Sequence, residues 1–514
     1  MKGIIKICGK MLAVFLVMVF VFQTLPLETA AKTLNAINST EKTEVQEETT
    51  LLYEITDKRE ENVKVYKTNF GGYSAYISSV PLHYLDNGEW KDIDNSLSQN
   101  DDGTFSNAAN GFEVNLPAAL ADNSGVSISK DNYSVSFALN DTKDNQNVKV
   151  ENNKKSAENS INTADNIASE TDTSSSVEYK DVMKNTDVKY VVSGNSVKEN
   201  IIIDKKSSVK DCYTFTVNVN GLIAVLNEDK SISLFDENDE TCFFIPAPVM
   251  FDSHNVISSN IEVDLISNID GTYTLTYTPD AEWLGSRDRK YPVTIDHDIF
   301  ASDTSVITDA CVTSEAPDET GNNSALGIVS NGHDINKNGS AYYAETYIKI
   351  NTELIEDLFK GMTVTEAQLV SFGGSHGTVF LKEISGRCNF ETVTYNTKPN
   401  LSGRIIDYFT SVGETEGNTY IHFNITKYFT DILTDSKRNK GLAVVAQDSH
   451  SYAALIGNGT VGGTSVNGLG LLVSYVDIKG YDSRYNYHTQ NIGNAGTVYI
   501  NDFTREMFIK REDI

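Results

Sequence analysis

Short runs in which apolar and polar residues alternate recur along most of the chain, and they restrict its fold more than any other feature. Residues 133–139 read YSVSFAL, with an apolar or aromatic side chain at every second position, and residues 213–219 and 273–277 repeat the pattern. A period of two places these side chains on one face of a β-strand. The pattern predicts strands that are half buried.

Turn signals separate such runs at Asn87-Gly88, Asn220-Gly221 and Asp270-Gly271. These dipeptides tolerate the positive φ angles of tight hairpins. The 25 Tyr and 22 Phe against 9 Pro also favour strands. The sequence therefore predicts an all-β protein of antiparallel hairpins.

Two segments have helical spacing instead. The first is an amphipathic helix that Asn424 caps and Gly441 ends, and its apolar face contains Ile425, Tyr428, Phe429, Ile432 and Leu433. A shorter helix is predicted around 352–360. Both are expected to cover the ends of a sandwich.

The charge balance is strongly acidic, with 42 Lys+Arg, 71 Asp+Glu and a net charge of −29. Nucleic-acid binding needs a cationic surface, so we expect no nucleic-acid partner. An anionic chain also has little affinity for anionic lipid, and we expect no stable membrane insertion.

The first 31 residues have the order of a secretory signal peptide. Lys2, Lys6 and Lys10 precede an apolar run over residues 11–22, and the small residues Ala30-Ala31 follow. That run is shorter than the about 20 residues that span a bilayer. Removal of residues 1–31 is expected, and an uncleaved N-terminal anchor is the alternative.

Two polar segments lack the apolar side chains that would offset the entropy of ordering them: an acidic linker over 32–50 and a low-complexity linker over 140–176. We expect the second to be disordered. The linkers leave an N-terminal β region over 51–139 and a second β region over 177–298.

Four cysteines follow the signal, and none forms a C-x-x-C metal motif: Cys212, Cys242, Cys311 and Cys388. Export permits disulfides. Buried thiols and one or two disulfides both remain possible from the sequence.

Catalytic motifs are weak, and we expect no enzyme and no catalytic residues. Residues 373–377 match G-x-S-x-G, but strand-like sequence lies on both sides, whereas a nucleophile elbow needs a helix after it. Asp296 and Asp298 flank His297 and are expected to share one solvated strand face.

A calcium-binding motif is matched more completely than any catalytic motif. The pattern D-x-[DN]-x-[DN]-G-x5-E is matched by residues 334–345, with Asp334, Asn336, Asn338, the Ser340 carbonyl and Glu345 as oxygen ligands. The neighbouring residues indicate strands rather than the helices of an EF-hand. Bound Ca²⁺ and a plain hairpin loop are the two interpretations.

Residues 299–478 resemble a DNRLRE domain. Five sequence blocks support this in order: SDTSVITDACVTSEAPDETGNNSALGI, AETYIKIN with TVTEAQLVSF, CNFETVTYNTKPN, NITKYFTDIL, and KGLAVVAQ. The resemblance implies a secreted, jelly-roll-like β-sandwich related to carbohydrate-binding modules.

Flanking segments extend this resemblance. PLHYLDNGEWKDIDNSL and SRDRKYPVTIDHDIF resemble parts of RHS/YD-repeat wall-associated proteins, and residues 479–514 resemble the adapter that leads into their repeats. The resemblance implies the N-terminal part of such a protein, secreted or on the surface of a Gram-positive type of bacterium, with a downstream repeat or toxin region absent.

These observations together favour a non-catalytic protein whose sandwich binds cell-wall or other polysaccharide. Tyr342, Tyr343 and Tyr395 are the candidate exposed aromatic rings, with Asn396 as a polar neighbour, although the family usually has Trp where Tyr395 stands. A structural adapter or cap of a repeat shell without a ligand is the alternative, and an exported hydrolase is a third.

Export is predicted to remove the N-terminus near Ala31, because the charged, apolar and small-residue segments occur in the order that signal peptidase requires. N-terminal sequencing of the protein from culture measures this. A mature chain that still begins at Met1 would contradict the prediction.

Overall fold

The computed structural model describes much of the chain after residue 48. The described residues are 49–121, 124–143, 147–152, 174–253, 256–301, 305–318, 320–321, 326–333, 341–411, 419–456, 469–477, 486–493, 496–502 and 507–510. The predicted signal peptide and residues 334–340 of the calcium motif lie outside them. Within these ranges no helix is long and apolar enough to cross a membrane.

Strands dominate the described residues, as the sequence predicts. The first group is β1 (Leu51–Glu54), β2 (Val63–Thr68), β3 (Tyr73–Ser78), β4 (His83–Asp86), β5 (Glu89–Asp92), β6 (Asp94–Gln99), β7 (Phe105–Ala109), β8 (Glu113–Leu116), β9 (Val126–Lys130), β10 (Tyr133–Leu139) and β11 (Asn147–Asn152). The second group is β12 (Ser175–Met183), β13 (Thr186–Val192), β14 (Ser196–Ile203), β15 (Tyr213–Asn220), β16 (Ile223–Leu226), β17 (Ile232–Phe235), β18 (Thr241–Ile245), β19 (Val249–Asp252), β20 (Ile257–Ser258), β21 (Ile261–Ser267), β22 (Tyr273–Pro279) and β23 (Val293–Phe300).

The third group is β24 (Ile307–Thr313), β25 (Leu326–His333), β26 (Tyr342–Ile350), β27 (Met362–Ile384), β28 (Leu401–Ser411), β29 (Thr419–Asn424), β30 (Leu442–Ala446), β31 (Tyr452–Ile456), β32 (Leu469–Asp477), β33 (Tyr487–Asn491), β34 (Thr497–Asn501) and β35 (Met507–Lys510). The α-helices among the described residues are α1 (Ala281–Gly285) and α2 (Thr426–Thr434). Short 3₁₀-helices span Thr56–Lys58, Lys206–Ser208, Thr352–Leu354, Glu356–Phe359 and Ser436–Arg438.

Two antiparallel sheets form the first sandwich. One has the order β21-β22-β15-β10-β9-β8-β7-β6, and the other has β11-β12-β13-β14-β23-β18-β17-β16, with β19 and β20 added beside β23. Their facing sides share one apolar core, in which the rings of Phe215 and Tyr277 meet the edge of His297 from the opposite sheet.

A second sandwich is built around β27, a strand of 23 residues. Its first half pairs with β32 and β29, and its second half pairs with β30 and β28. Strand β31 pairs with residues 373–376 of β27 and also with β25. The path of paired strands from β27 through β30, β26, β25 and β31 therefore leads back to β27. The all-β, sandwich prediction is confirmed.

The structure divides the chain differently from the predicted regions. Strands β1 to β3 add to the second sandwich, because β3 pairs with β32, and Ser74 lies opposite Ser474. Strands β6 to β10 belong to the first sandwich. The predicted region 51–139 is therefore shared between both sandwiches, and β33 to β35 form a separate three-stranded sheet.

Part of the predicted disordered linker over 140–176 is ordered. Strand β11 pairs with β12 over Asn147 to Asn152, and Asn152 exchanges hydrogen bonds with the backbone of Leu97. Disorder was the wrong prediction for these residues because an edge strand needs little apolar burial once a neighbour satisfies its backbone. Residues 153–173 lie outside the described part of the chain.

The predicted turns have different outcomes. Asn87 and Gly88 both adopt positive φ, 50° and 84°, and join β4 to β5 in a tight hairpin. Asp270-Gly271 lies in a longer hairpin loop between β21 and β22. Asn220-Gly221 forms no hairpin, since β15 and β16 belong to opposite sheets of the first sandwich.

Helix α2 confirms the amphipathic prediction, with Tyr428, Phe429 and Ile432 buried. The Thr426 N–H and hydroxyl donate to the Asn424 side chain, but the N-cap residue is Ile425 rather than the predicted Asn424. The second predicted helix is instead two 3₁₀ turns, a form common in short connectors. Cys212, Cys242, Cys311 and Cys388 are thiols, and of these only Cys311 is buried.

Replacing Phe429 with Ala is expected to lower the free energy of unfolding by about 3–5 kcal/mol, because a fully buried ring is lost. Phe429 contacts Phe359 edge-on at 5.4 Å, and Phe359 contacts Tyr475 at 5.2 Å. Urea denaturation measures the change. Lys427→Ala, on the exposed side of the same helix, is the control and should change little; equal effects would contradict this role for α2.

Candidate functional site

Strand β26 carries two of the predicted binding tyrosines, and they point to opposite faces. Tyr342 is 4% exposed and packs with Cys311 and Ala344, so the prediction of an exposed ring is wrong for this residue. Tyr343 is 41% exposed. Successive side chains of a strand alternate between faces, and therefore only one of two neighbours can reach solvent here.

Glu345 lies on the same face as Tyr343, two residues further along β26. Its Oε1 atom lies 2.6 Å from Lys398 Nζ, and its Oε2 atom accepts a 2.7 Å hydrogen bond from the buried Tyr347 hydroxyl. Lys398 Nζ also lies 4.3 Å from the centroid of the Tyr395 ring. The carboxylate and the cation thus fix the position of a half-buried aromatic ring.

Asn396 completes this surface. Its side chain donates a 2.8 Å hydrogen bond to Asp318 Oδ1, and its backbone N–H donates to Pro317 O at 3.0 Å. The loop that contains Tyr395 is therefore held against the turn after β24. We call this surface the Glu345 face, defined by Asp318, Tyr343, Glu345, Tyr395, Asn396 and Lys398.

The structure describes only one of the five predicted calcium ligands, Glu345. Asp334, Asn336, Asn338 and Ser340 lie outside the described residues. Glu345 is described, and both of its oxygens already have protein partners, so a cation would compete with Lys398. Calcium binding stays a prediction.

The G-x-S-x-G match lies wholly inside β27. Ser375 pairs with Ala453 of β31, and the strand continues to Ile384 without a turn into a helix. The strand-to-strand interpretation is confirmed, and Ser375 does not have the setting of a nucleophile elbow.

A buried cluster of charges was not found from the sequence. Lys198 Nζ lies 3.0 and 2.8 Å from the two oxygens of Asp296 and 2.9 Å from Asp298 Oδ2. Asp296 and Asp298 share a face as predicted, but Asp296 is 3% exposed, so the predicted solvated face is wrong. Lys198 removes the repulsion between the two carboxylates.

Glu199 and His297 lie opposite each other on the other face of the same two strands. Glu199 Oε2 is 3.7 Å from His297 Nε2, beyond normal hydrogen-bond length. Burial raises the pKa of Glu199 to about 8 and lowers the pKa of His297 to about 3. Near pH 7 both side chains are therefore mainly uncharged in the core of the first sandwich.

A second charged cluster joins β1, β2 and the β4–β5 hairpin. Arg59 lies 2.6 Å from Glu54 and 2.9 Å from Asp92, and Lys64 also bonds Asp92. Burial, with the nearby Lys64 and Arg59, lowers the pKa of His83 to about 4. The pairing of these strands was not predicted from the sequence, so neither cluster could be found from it.

Similarity to known proteins gives a partial identification. Over 433 residues the chain is 27% identical to the tRNA(Glu)-specific nuclease WapA of Bacillus subtilis subsp. natto, covering 76% of this chain and 17% of that protein. It is 28% identical over 371 residues to the tRNA nuclease WapA of Bacillus subtilis, covering 67% and 15%. No protein-family model matches.

A third relative is the wall-associated protein of Geobacillus stearothermophilus, which is 24% identical over 205 residues, covering 39% of this chain and 75% of that protein. The chain spans less than a fifth of the length of the two nucleases. Its homologues are wall-associated proteins of the WapA type.

Two predictions are corrected by these names. The chain was expected to be no enzyme and to have no nucleic-acid partner, yet its relatives are named as nucleases that act on tRNA. Both expectations rested on the absence of a catalytic motif and on the net charge of −29. Net charge describes the whole chain, so it could not test for a local site.

Glu199→Gln is expected to stabilise the protein more at pH 8 than at pH 5. In the folded state the Glu199 pKa rises from 4.5 to about 8, so unfolding releases a proton within that window. The protonated Glu199 carboxyl therefore makes its whole contribution to stability below the pKa of the unfolded state, 4.5, and this contribution is lost as the pH rises toward 8. A neutral amide does not have this dependence.

Urea denaturation of wild type and Glu199→Gln at both pH values measures the effect. The control is Glu262→Gln, whose side chain is 71% exposed. A stability difference that is the same at pH 5 and pH 8 would mean that Glu199 does not hold its proton in the folded protein.

Proposed function

We propose that this chain is a cell-wall-associated protein whose second sandwich binds wall polysaccharide through the Glu345 face. The observation that carries the proposal is the exposed Tyr343 on the same strand face as Glu345, whose partner Lys398 lies over the Tyr395 ring. The wall-associated relatives support the location.

The chemistry of this face suits a sugar. C–H groups of a pyranose pack on aromatic rings, and hydroxyl groups bond carboxylates and carboxamides. Tyr343 and Tyr395 provide the rings, and Asn396 and Asp318 are exposed polar neighbours. Because Lys398 contacts the Tyr395 ring and Asn396 bonds Asp318 before binding, these side chains would lose little entropy when a ligand binds.

Charge narrows the ligand class. The Glu345 face has two carboxylates, Asp318 and Glu345, against one cation, Lys398, so we expect a polymer of mostly neutral sugars rather than one rich in phosphate. The resemblance of residues 299–478 to a DNRLRE domain agrees with this ligand class. A structural adapter without ligand binding is the competing function.

The names of the relatives favour a second candidate, tRNA cleavage, since 76% of this chain aligns with a tRNA nuclease. We assign no catalytic residue for it, because the aligned part is a small share of that protein. Incubating the purified chain with tRNA, and separating the products on a denaturing gel, decides whether the activity lies in this chain.

Tyr343→Ala and Tyr395→Ala are expected to weaken binding to purified cell wall about tenfold or more, since a stacked ring contributes about 1 kcal/mol or more beyond its buried area. Sedimentation with insoluble wall measures the bound fraction, and thermal unfolding shows whether each variant keeps its fold.

Tyr53→Ala is the matched control, because Tyr53 is 62% exposed and five strands separate β1 from β26 in the sheet. Tyr342→Ala should instead lower the melting temperature, since that ring is buried. If the wild type binds no wall polymer, or if both surface variants act only through stability, the adapter function replaces this proposal.

A further inference from the structure

The Lys198 cluster brings a primary amine and two carboxyl groups together on the face of β14 and β23 that points away from the core of the first sandwich. Lys198 on β14 lies directly opposite Asp298 on β23, and Asp296 is two residues along the same strand. Lys198 Nζ is within 3.0 Å of both Asp296 oxygens and 2.9 Å from Asp298 Oδ2. One amine therefore contacts two acids at once.

Burial separates this cluster from an ordinary surface ion pair. The side chains of Lys198 and Asp296 are each 4% exposed, and that of Asp298 is 15% exposed. Asp298 Oδ1 is buried and has no hydrogen-bond partner among the residues that the structure describes. One carboxyl oxygen of the cluster is thus available to accept a proton.

The same chain contains a comparison cluster in water. Lys180 Nζ lies 2.8 Å from Asp187 on β13 and 2.6 Å from Glu178 on its own strand, β12, and the Lys180 side chain is 44% exposed. Both clusters place one amine within 3.0 Å of two carboxylates, but at Lys198 both acids lie on the neighbouring strand and the amine is buried.

We propose that Lys198 and Asp296 condense into an intramolecular isopeptide bond, with Asp298 as the proton carrier. Amide formation from an amine and an acid is disfavoured in water, which is both the solvent and the product. In a buried site the released water can leave, and fixed neighbours react as if at effective concentrations of about 10⁵–10⁸ M.

The step balances without any co-reactant. The Lys198 ammonium gives one proton to Asp298, and the neutral amine attacks the Asp296 carboxyl carbon to form the C–N bond. Asp298 passes that proton to the departing oxygen and then carries a second proton from nitrogen to the same oxygen. The C–O bond breaks, one water leaves, and Asp298 ends as the carboxylate it was.

Such a bond would join β14 covalently to β23 in the middle of the ten-stranded sheet. Asp296 also pairs across to Val249 of β19, so backbone hydrogen bonds hold β23 on both sides at this point. The reacting groups are therefore positioned by the sheet itself, and no loop movement is needed to bring them together.

The test is peptide mapping of the purified full chain by mass spectrometry after complete denaturation. We expect trypsin not to cut after Lys198, since an acylated lysine is no substrate. A branched peptide should contain the Lys198 and Asp296 segments, with a mass smaller by one water than their sum. Cutting after Lys180 should be normal.

Two variants separate the roles. Asp296→Ala should abolish the branched peptide and restore cutting after Lys198, because the acceptor carbon is gone. Asp298→Ala retains both reacting groups and should also abolish or strongly slow the bond. Full cutting after Lys198 in the wild-type protein overturns the proposal, whether or not the variants fold.

Discussion

The second sandwich depends on the requirement that every buried backbone N–H and C=O find a partner. Strand β27 meets it over 23 residues by pairing with different neighbours along its length: β32 and β29 at first, then β31, and finally β30 and β28. Because the register on one side constrains the register on the other, this strand fixes where β26 lies, and with it the Glu345 face.

Charges inside the first sandwich are arranged by the same alternation that builds the sheets. Lys198 and Glu199 are neighbours in sequence but point to opposite faces of β14, so Lys198 meets carboxylates and Glu199 meets His297 and Tyr190. Before any bond forms, the Lys198 amine is charged because it has carboxylate partners within hydrogen-bond distance. Glu199 is held neutral because burial, rather than a nearby charge, governs its pKa.

Periodicity predicted the strands and helix α2 because both patterns are local. It could not predict which strands share a sheet, since β3 and β32 or β14 and β23 meet only in space. Val148 and Val150 alternate with polar residues as in a strand, but the polar sequence around them led to the prediction of disorder. Tyr342 and Tyr343 were equivalent in sequence, and only the register of β26 distinguished the buried ring from the exposed one.

The pairing of β3 with β32 has a consequence for the time course of folding. Ser74 lies opposite Ser474, so the two strands are separated by 400 residues of chain. During synthesis from the N-terminus, β1 to β3 are made long before their neighbour in the sheet exists. Closing so long a loop is entropically costly and slow. The first sandwich, complete by residue 300, can fold in that interval, while the exposed edge of β3 must wait for nearly the whole chain.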